Sequence, residues 1–276
     1  MAASRKGLFL NQRKCIIDLL QDVDMLHTKP VANLLDSKLT LDSSSESLVS
    51  CTYYQQIVGK LIYLTITRPD ITFVVSLVSG YMHAPTVRHL GMVKRILRYL
   101  KGTIGRGIVM TRNGHNNIMG YVDSDWAGNS LDRRSTTGYC MFVGGNLVSW
   151  KSKKQSVVAR SSAEAEYCVM AFAACELIWL KQLLADFGFH GVTPITLFCD
   201  NQAAMHIASN PVFHERTKHI EVDCHYIRQQ VQAKLIQPQY VRSHDQLTDV
   251  LTKALSSTQF HWLLSKLGST NPLDLA

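Results

Sequence analysis

Three strand-forming segments follow one another between residues 118 and 152, and this run restricts the possible folds more than any other feature of the sequence. The second and third are joined by GGN, and glycine supplies the positive φ that a tight hairpin turn requires. A long apolar stretch with helical spacing follows from Ser161 to about Phe187. Strand and helix signals then alternate to about residue 255, so the order βββα followed by βα units predicts an α/β domain with a mixed sheet. The predicted strands are IMGYVD (118–123), TTGYCMFV (136–143), LVSWKS (147–152), SVVAR (156–160), PITLFCD (194–200) and IQPQYVRS (236–243).

The first part of the chain has a different pattern, in which apolar residues recur at helical spacing. It predicts helices within 10–26, 53–67, 69–83 and 87–102, and a polar loop at 28–50. The glycines of GTIGRG interrupt the pattern and place a boundary near 103–117. The sequence therefore predicts a small helical region at 1–110, an α/β domain at 117–256 and a C-terminal tail at 257–276.

Composition limits where such a chain is expected to act. Charges interrupt the apolar runs well before about 20 residues, so no membrane span is expected. The first 14 residues lack the apolar core of a secretory signal. Seven cysteines without a CxxC pair favour reduced, mostly buried thiols. These features favour a cytoplasmic or nuclear protein over a secreted one.

The positive charge of the chain is concentrated at one end. Residues 1–116 carry 15 Lys and Arg against 7 Asp and Glu, whereas 117–276 carry 14 of each. The stretch VRHLGMVKRILRYLKGTIGR (87–106) has six basic residues and no acidic one. A solvated helix face usually mixes charges of both signs, so this stretch favours a polyanion such as nucleic acid as the partner.

Four acidic residues occupy positions where a charged side chain is costly to bury. Asp123 lies inside the first predicted strand, Glu166 lies one turn into the long helix, Asp200 ends the apolar strand ITLFC, and Asp249 has apolar neighbours in the last helix. Acids that crowd together repel each other, and divalent cations remove that cost. Mg²⁺ prefers oxygen ligands, and two ions together can activate a water and stabilise a leaving oxygen. The pattern predicts a site for two Mg²⁺ ions, for which Mn²⁺ is expected to substitute.

Other metal ligands are disfavoured. The sequence has no Cys/His cluster at zinc spacing, and the four residues that come nearest to one do not share a helix face, so a zinc site is not expected: His214, His219, Cys224 and His225. Asp125 faces the same side of its strand as Asp123, but the turn residues WAGN follow it. A helper or surface role is therefore expected for Asp125.

The two glutamates of SSAEAEY have different expected roles. Ser161 and Glu164 match the spacing of a capping box, in which each side chain bonds the backbone amide of the other residue. Glu166 lies about 200° further round the helix and shares a face with Val169 and Met170. We therefore expect Glu166, and not Glu164, to meet Asp123.

The order of the four acids, one in the first strand, one in the long helix, one ending the next strand and one in the last helix, resembles ribonuclease H. More narrowly, the chain resembles the C-terminal end of the polyprotein of copia-type LTR retrotransposons. The matching stretches cover roughly residues 7–260: YYQQIVGKLIYLTITRPDITF, HAPTVRHLGMVKRILRYLKGT, GYVDSDWAGNSLDRRSTTGYCMFVGGNLVSWKSKKQSVVARSSAEAEY, LFCDNQAAMHIASNPVFHERTKHIEVDCHYIR and VRSHDQLTDVLTKAL. Thr248 departs from the alanine that is common in this family.

The resemblance implies a fold, an activity and partners. The expected fold is a ribonuclease H-like mixed five-stranded sheet flanked by helices, preceded at 1–110 by the thumb- and connection-like end of a reverse transcriptase. The implied activity is metal-dependent cleavage of the RNA strand of RNA–DNA hybrids, giving a 5′-phosphate and a 3′-hydroxyl. Other parts of the polyprotein are further expected partners. The paired-aspartate polymerase motif is absent from the sequence, so no DNA synthesis is expected.

The resemblance also assigns roles to the four acids. Asp123 and Asp200 would hold both metal ions, Glu166 the ion near the leaving group, and Asp249 the ion that activates the attacking water. An inactive remnant that still binds hybrid or protein is the alternative. A transposase or integrase of the DDE type is disfavoured, because there the glutamate comes last and here it comes second.

Six further residues are candidates for substrate binding. Arg133, Arg134 and Ser135 lie between the first two strands and are candidates for phosphate contacts, although an arginine pair in a loop is often simply solvated. Asn201 and Gln202 follow Asp200 and are placed to bind the 2′-hydroxyl or backbone of RNA, or, for Asn201, to cap a helix. His244 precedes Asp249 and is a candidate for proton transfer or product release.

Overall fold

The computed structural model describes residues 1–5, 7–35, 47–128, 132–189, 193–209 and 221–271. Part of the predicted loop 28–50 and two of the four residues considered for zinc, His214 and His219, lie outside these ranges. The strands are β1 Ala2–Ser4, β2 Gly7–Leu10, β3 Gly107–Thr111, β4 Ile118–Asp125, β5 Thr136–Val143, β6 Asn146–Lys154, β7 Ile195–Cys199, β8 Ile236–Tyr240 and β9 Ser269–Thr270. The α-helices are α1 Arg13–Asp22, α2 Cys51–Leu64, α3 Pro69–Ser79, α4 Val87–Gly102, α5 Ser162–Asp186, α6 Gln202–Ser209, α7 Glu221–Gln232, α8 Asp249–Thr252 and α9 Ser257–Lys266.

The chain folds as two compact units. Unit 1 comprises residues 1–110 together with 254–276, and unit 2 comprises 111–253. The segment 257–276, predicted as a tail, supplies α9 and β9 to unit 1. Helix α9 begins where the Ser256 hydroxyl accepts a hydrogen bond from the Gln259 amide, and Phe260 packs on the apolar core of that unit.

Unit 1 contains the four predicted helices α1–α4 and a small sheet that the sequence analysis did not predict. Its strand order is β1-β2-β3-β9, with β1–β2 and β3–β9 antiparallel. Arg68 and Asp70 form a fully buried ion pair at the start of α3, with 2.7 Å between Nη2 and Oδ2. The Tyr99 hydroxyl also donates to Asp70 at 2.8 Å, and Arg68 donates to Thr103. Both charges are therefore neutralised and hydrogen-bonded inside the helical core.

The basic stretch coincides with α4, and part of its charge has a structural use. Arg95 donates through Nε to the backbone carbonyl of Asn33 at 3.0 Å. Arg98 donates in the same way to the carbonyl of Lys29 at 2.8 Å. These two guanidinium groups hold the segment that follows α1, so they do not serve only as a charged surface.

Unit 2 confirms the predicted ribonuclease H-like fold, a mixed five-stranded sheet flanked by helices. The strand order is β6-β5-β4-β7-β8, in which β4, β5 and β6 are antiparallel while β7 and β8 run parallel to β4. The predicted hairpin joins β5 to β6, and Gly144 and Gly145 adopt φ of 57° and 75°. Helix α5 begins after Ser161 and ends before Phe187, at the limits expected from the sequence. Its buried face packs on the sheet in one apolar core.

Two expectations about unit 2 were wrong, and the expectation about the cysteines of the whole chain holds only in part. SVVAR is not a strand: β6 ends at Lys154, and Val157 and Val158 are exposed without a strand partner in the described part of the chain. The helix predicted over QLTDVLTKAL (246–255) is only one turn long, α8, because the backbone becomes extended at Lys253; a 3₁₀ turn, Ser243–Asp245, precedes it. The cysteines are all free, as expected, and Cys140, Cys199 and Cys224 are buried, but Cys15, Cys51 and Cys175 are exposed.

One helix in the described ranges, α5, is long and apolar enough to cross a membrane. The charge-based expectation of no membrane span did not identify it. Its apolar residues are those that cover the sheet, including Val169, Met170 and Leu177, all at 0% exposure. A core helix of this kind meets the same length and composition test as a membrane span.

Candidate active site

Asp123 lies at the centre of the sheet and is 2% exposed. It pairs with Gly138 on β5, and a Cβ at that glycine would lie 2.4 Å from Thr252 Cγ2. The absence of a side chain at Gly138 therefore lets α8 approach the sheet closely. Because of this approach, the buried Thr252 hydroxyl donates a hydrogen bond to the Asp123 carboxylate.

Glu166 reaches the same place from α5. It is 4% exposed, and its Oε1 accepts a hydrogen bond from the Ser124 amide at 2.9 Å. The Cys199 thiol lies 3.8 Å from Oε2. The backbone of β4 thus fixes the carboxylate of Glu166 beside that of Asp123.

Asp200 follows the last residue of β7 and is half-buried. Its Oδ2 accepts a hydrogen bond from the Ser243 hydroxyl at 2.9 Å. One carboxylate oxygen each from Asp123, Glu166 and Asp200 lies within 4.8 Å of the other two. The structure therefore brings three of the four predicted metal ligands together at the end of adjacent strands.

Asp249, the fourth predicted ligand, is the first residue of α8 and is 5% exposed. It is not part of the three-carboxylate cluster. Its Oδ1 lies 2.9 Å from Lys253 Nζ, and the same Nζ lies 3.4 Å from Asp123 Oδ2. Lys253 thus bridges Asp249 to Asp123, and direct metal binding by Asp249 stays a prediction.

The electrostatics follow from burial and crowding. Burial, reinforced by the charge of Asp123, raises the pKa of Glu166 well above its usual value. Burial also raises the pKa of Asp123, although Lys253 and Thr252 oppose that shift. Burial and then the charge of Asp123 raise the pKa of Asp249 to about 6. Burial lowers the pKa of Lys253, but the charges of Asp123 and Asp249 outweigh it and raise that pKa overall.

These side chains fit a hard divalent cation. The clustered donors are carboxylate oxygens, which Mg²⁺ and Mn²⁺ prefer over softer ligands. The raised pKa values of Asp123 and Glu166 mean that ionising both together is unfavourable without added positive charge, and a bound cation would supply that charge. Burial raises the pKa of the Cys199 thiol, so the protonated thiol is favoured in the absence of a metal.

The two glutamates separate as expected. The Ser161 hydroxyl accepts from the Glu164 amide at 3.2 Å, as in a capping box. Glu164 Oε2 accepts from the Arg160 amide at 2.7 Å, one residue before the amide that was expected. Glu164 therefore has a structural role at the start of α5, and Glu166 lies in the cluster.

The candidates on the loop before β5 fall into two groups. Arg133 and Arg134 are exposed, and the Arg134 guanidinium lies 3.9 Å from Asp132. Ser135 is fully buried, and its hydroxyl accepts from the Ala127 amide at 3.2 Å. Burial and this hydrogen bond make Ser135 a structural group of the turn. The expectation that Ser135 binds a phosphate directly is therefore corrected.

The candidates after β7 have other surroundings. Asn201 Oδ1 accepts from the Ala204 amide at 3.0 Å, so it caps α6 as expected. Gln202 is exposed at the first position of that helix. His244 is largely exposed, with Nδ1 3.4 Å from Asp245. Contacts of these residues with RNA stay predictions.

Sequence analysis missed three residues that support the cluster. Thr252 and Lys253 lie three and four residues after Asp249, a spacing that places them near it on a helix. That spacing was the available signal. Gln246 is fully buried and donates to the Val122 carbonyl at 2.8 Å, while its Oε1 accepts from Thr248 at 2.7 Å. Thr248, the departure from the family's common alanine, thus orients the glutamine that ties this segment to β4.

Comparison with known proteins finds similarity to retrotransposon polyproteins along most of the chain. It is 45% identical over 266 residues to the retrovirus-related Pol polyprotein from transposon RE1 of Arabidopsis thaliana, covering 96% of this chain and 18% of that protein. It is 36% identical over 266 residues to the corresponding polyprotein from transposon TNT 1-94 of Nicotiana tabacum, covering 93% and 20%. The chain spans about a fifth of the length of these relatives. No family model matches it. Among solved structures, a ribonuclease H1 (LC11) isolated from compost aligns with a TM-score of 0.39 and 16% identity, covering 50% of this chain and 93% of that one.

Proposed function

Because the chain belongs to the retrotransposon Pol polyprotein family, as the C-terminal part of a copia-type polyprotein, we propose that unit 2 is a metal-dependent endoribonuclease that cleaves the RNA strand of RNA–DNA hybrids. The observation that carries this proposal is the convergence of Asp123, Glu166 and Asp200 within 4.8 Å. They meet at the ends of β4 and β7 in the mixed sheet. Carboxylates in this arrangement suit phosphodiester hydrolysis with two metal ions.

Hydrogen bonds from other residues of unit 2 hold the carboxylates of the proposed metal site in place. When bound, two Mg²⁺ ions would lower the pKa of a bound water and stabilise the negative charge that develops on the leaving oxygen. Asp123, Glu166 and Asp200 would hold them, with Asp249 as the proposed fourth ligand. The Ser124 amide, the Thr252 hydroxyl and the Ser243 hydroxyl orient three of these carboxylates in advance.

The substrate and partners are proposals of the same kind. Asn201 and Gln202 lie directly after Asp200 and are proposed to contact the RNA strand. Arg133 and Arg134 are exposed and are proposed to contact phosphates. The basic unit 1 is proposed to add charge-dependent affinity for the hybrid, beside contacts with other parts of the polyprotein. A cytoplasmic or nuclear location is likewise proposed.

Cleavage of a labelled RNA–DNA hybrid with and without Mg²⁺ tests the function. Wild-type protein should cut the RNA strand only with the metal and leave 5′-phosphate ends. Asp200→Asn should bind hybrid but not cut it, since an amide is a poor ligand for a hard cation. Asp186→Asn, which alters an exposed carboxylate at the end of α5, is the matched control and should cut normally. Hybrid binding without cleavage by the wild type would instead support the inactive remnant.

A further inference from the structure

A groove lies on unit 2 between the edge of the sheet and α5, with a cavity volume of about 480 Å³. One wall is β6, with Lys151 and Lys153, and the other is α5, with Phe172 and Trp179. Tyr139, which is buried, also lines the groove. We call it the lysine–aromatic groove.

This groove is separate from the carboxylate cluster. Its residues Thr137 and Tyr139 flank Gly138, and Gly138 pairs directly with Asp123. Neighbouring residues of a strand point to opposite faces of the sheet, so the groove lies on the face opposite to the Asp123 side chain. A ligand here would therefore not compete for the metal site.

The lysine wall presents two positive charges in a row. Lys151 pairs with Tyr139 and Lys153 with Thr137, so both lysines share the groove's face of the sheet. They are about 7 Å apart along the strand. Both are exposed, and neither forms an ion pair within the described ranges, whereas Lys154 is 2.8 Å from Asp132. Two ammonium groups are thus available to an anionic ligand.

The aromatic wall presents two exposed rings. Phe172 is 60% exposed and Trp179 is 55% exposed. They are seven residues apart on α5, which places them on one face about 10 Å apart along the axis. Neither ring stacks on another aromatic ring in the described part of the chain. Large apolar side chains that cluster at a groove usually mark a binding surface.

The acidic residues of the groove are engaged within the fold. Glu176 accepts a hydrogen bond from the Ser149 hydroxyl at 2.7 Å. Burial raises the pKa of Asp223, and the Cys168 thiol is its hydrogen-bond partner. Hydrogen bonding does not remove the charge of these acids, but Glu176 lies on α5 and Asp223 on α7, whereas Lys151 and Lys153 lie on β6. Phosphates are therefore expected along the lysine wall only.

We propose that the lysine–aromatic groove binds a single-stranded nucleic acid segment, with phosphates on Lys151 and Lys153 and bases stacked on Phe172 and Trp179. Positive groups along a backbone path, opposite aromatic platforms, are the features by which proteins hold single strands without reading sequence. A duplex keeps its bases stacked inside and does not present their faces to such rings. Use of the groove to hold a single-stranded extension during hybrid cleavage rests on the proposed function, but binding itself does not.

Fluorescence anisotropy tests binding with the full chain in EDTA, which prevents hydrolysis. The probes are labelled oligothymidylate and oligouridylate of about 20 nucleotides, longer than typical single-strand sites. Lys151→Gln with Lys153→Gln should lower the slope of log affinity against log salt by about 1.4. Trp179→Ala and Phe172→Ala should each weaken binding by about fivefold to a hundredfold. Lys234→Gln, at an exposed lysine in the turn before β8, should change neither measurement beyond the loss of one distant charge.

Trp179→Leu distinguishes stacking from apolar docking. Leucine keeps the apolar surface but has no ring. The affinity for a single strand should therefore fall almost as far as with alanine, whereas the affinity of a protein surface that docks on Trp179 should change little. Trp179→Phe should retain binding. All variants should cleave a blunt hybrid at the wild-type rate.

Three results would overturn the proposal: no oligonucleotide binding by the wild type, unchanged binding in the lysine and ring variants, or a wild-type dimer in light scattering that Phe172→Ala dissociates. Circular dichroism melting confirms that each variant is folded. If the protein bound oligonucleotides but did not cleave hybrid, the proposed function would be rejected and the proposal for the lysine–aromatic groove would still hold.

Discussion

Replacing Gly138 with alanine should disturb the active site through a single methyl group. The added Cβ would lie 2.4 Å from Thr252 Cγ2, 3.2 Å from Leu251 Cβ and 3.4 Å from the Thr248 carbonyl oxygen. Thr252 is fully buried, so its methyl group can give way only if its side chain rotates or α8 moves. Either movement displaces the hydroxyl that donates to Asp123.

The expected magnitudes follow from overpacking and misplacement. Inserting a methyl into a packed site costs about 1–3 kcal/mol. For a unit of this size, that lowers the melting temperature by about 2–4 °C per kcal/mol. A carboxylate displaced by about 1 Å lowers hybrid cleavage by up to about a hundredfold. Differential scanning calorimetry and single-turnover cleavage in Mg²⁺ measure the two effects.

Two further variants make the test specific. Thr252→Ser removes the clashing methyl and keeps the hydroxyl, so combining it with Gly138→Ala should recover most of the lost activity and stability. Gly59→Ala, in α2, places its methyl where nothing lies within 4 Å and should stabilise by about 0.5–1 kcal/mol. Wild-type melting and cleavage of Gly138→Ala, or no recovery in the double variant, would refute the reasoning.

Other predictions concern the acids and one buried ion pair. Glu166→Gln should abolish cleavage while Glu164→Gln keeps it, because glutamine also fits the helix cap; the reverse result in the cleavage assay would contradict the assignment. In metal-free buffer, melting curves should show wild-type protein losing stability relative to Asp249→Asn as the pH rises from about 4 to about 6, because a raised folded-state pKa favours only the protonated form. If the difference in stability between wild-type protein and Asp249→Asn stayed constant across that pH range, the result would count against the buried position of Asp249. Asp70→Ala leaves a buried guanidinium unpaired and should cost about 3–5 kcal/mol in urea denaturation, whereas Lys14→Ala, in an exposed pair, should cost under about 1 kcal/mol. If both variants lost the same free energy of unfolding, the result would show that water reaches the Arg68–Asp70 pair.

The parts of the fold that could be predicted are those governed by neighbouring residues. The Ser161 cap and the apolar spacing after it place the start of α5, and the GGN turn places the hairpin. By contrast, strand β3 was missed because its partner β9 lies about 160 residues further along the chain. The segment SVVAR has the composition of a strand, but only the sheet itself decides whether an edge position is available.

The candidate active site shows the same difference between features set by neighbouring residues and features set by residues distant in the chain. The meeting of Asp123, Glu166 and Asp200 could be predicted because each of these acids breaks a local pattern of apolar residues. The spacing of Thr252 and Lys253 from Asp249 indicated only that they lie near it. Their contacts with Asp123 appear only when the helix is packed against Gly138. Ser135 was misjudged for the opposite reason, because a loop hydroxyl usually faces solvent and this one is buried.

The division of unit 1 into two chain segments has a consequence for the order of synthesis. A ribosome completes residues 111–253, and with them every strand of the five-stranded sheet, before it makes α9 and β9. Unit 2 can therefore fold first, whereas unit 1 gains α9 and β9 only from residues made about 150 positions after its earlier segment. During that interval the edge of β3 that later pairs with β9 stays unpaired, and an open strand edge is a site where chains associate incorrectly. Helix α9 and strand β9 thus complete unit 1 only after unit 2 has been made.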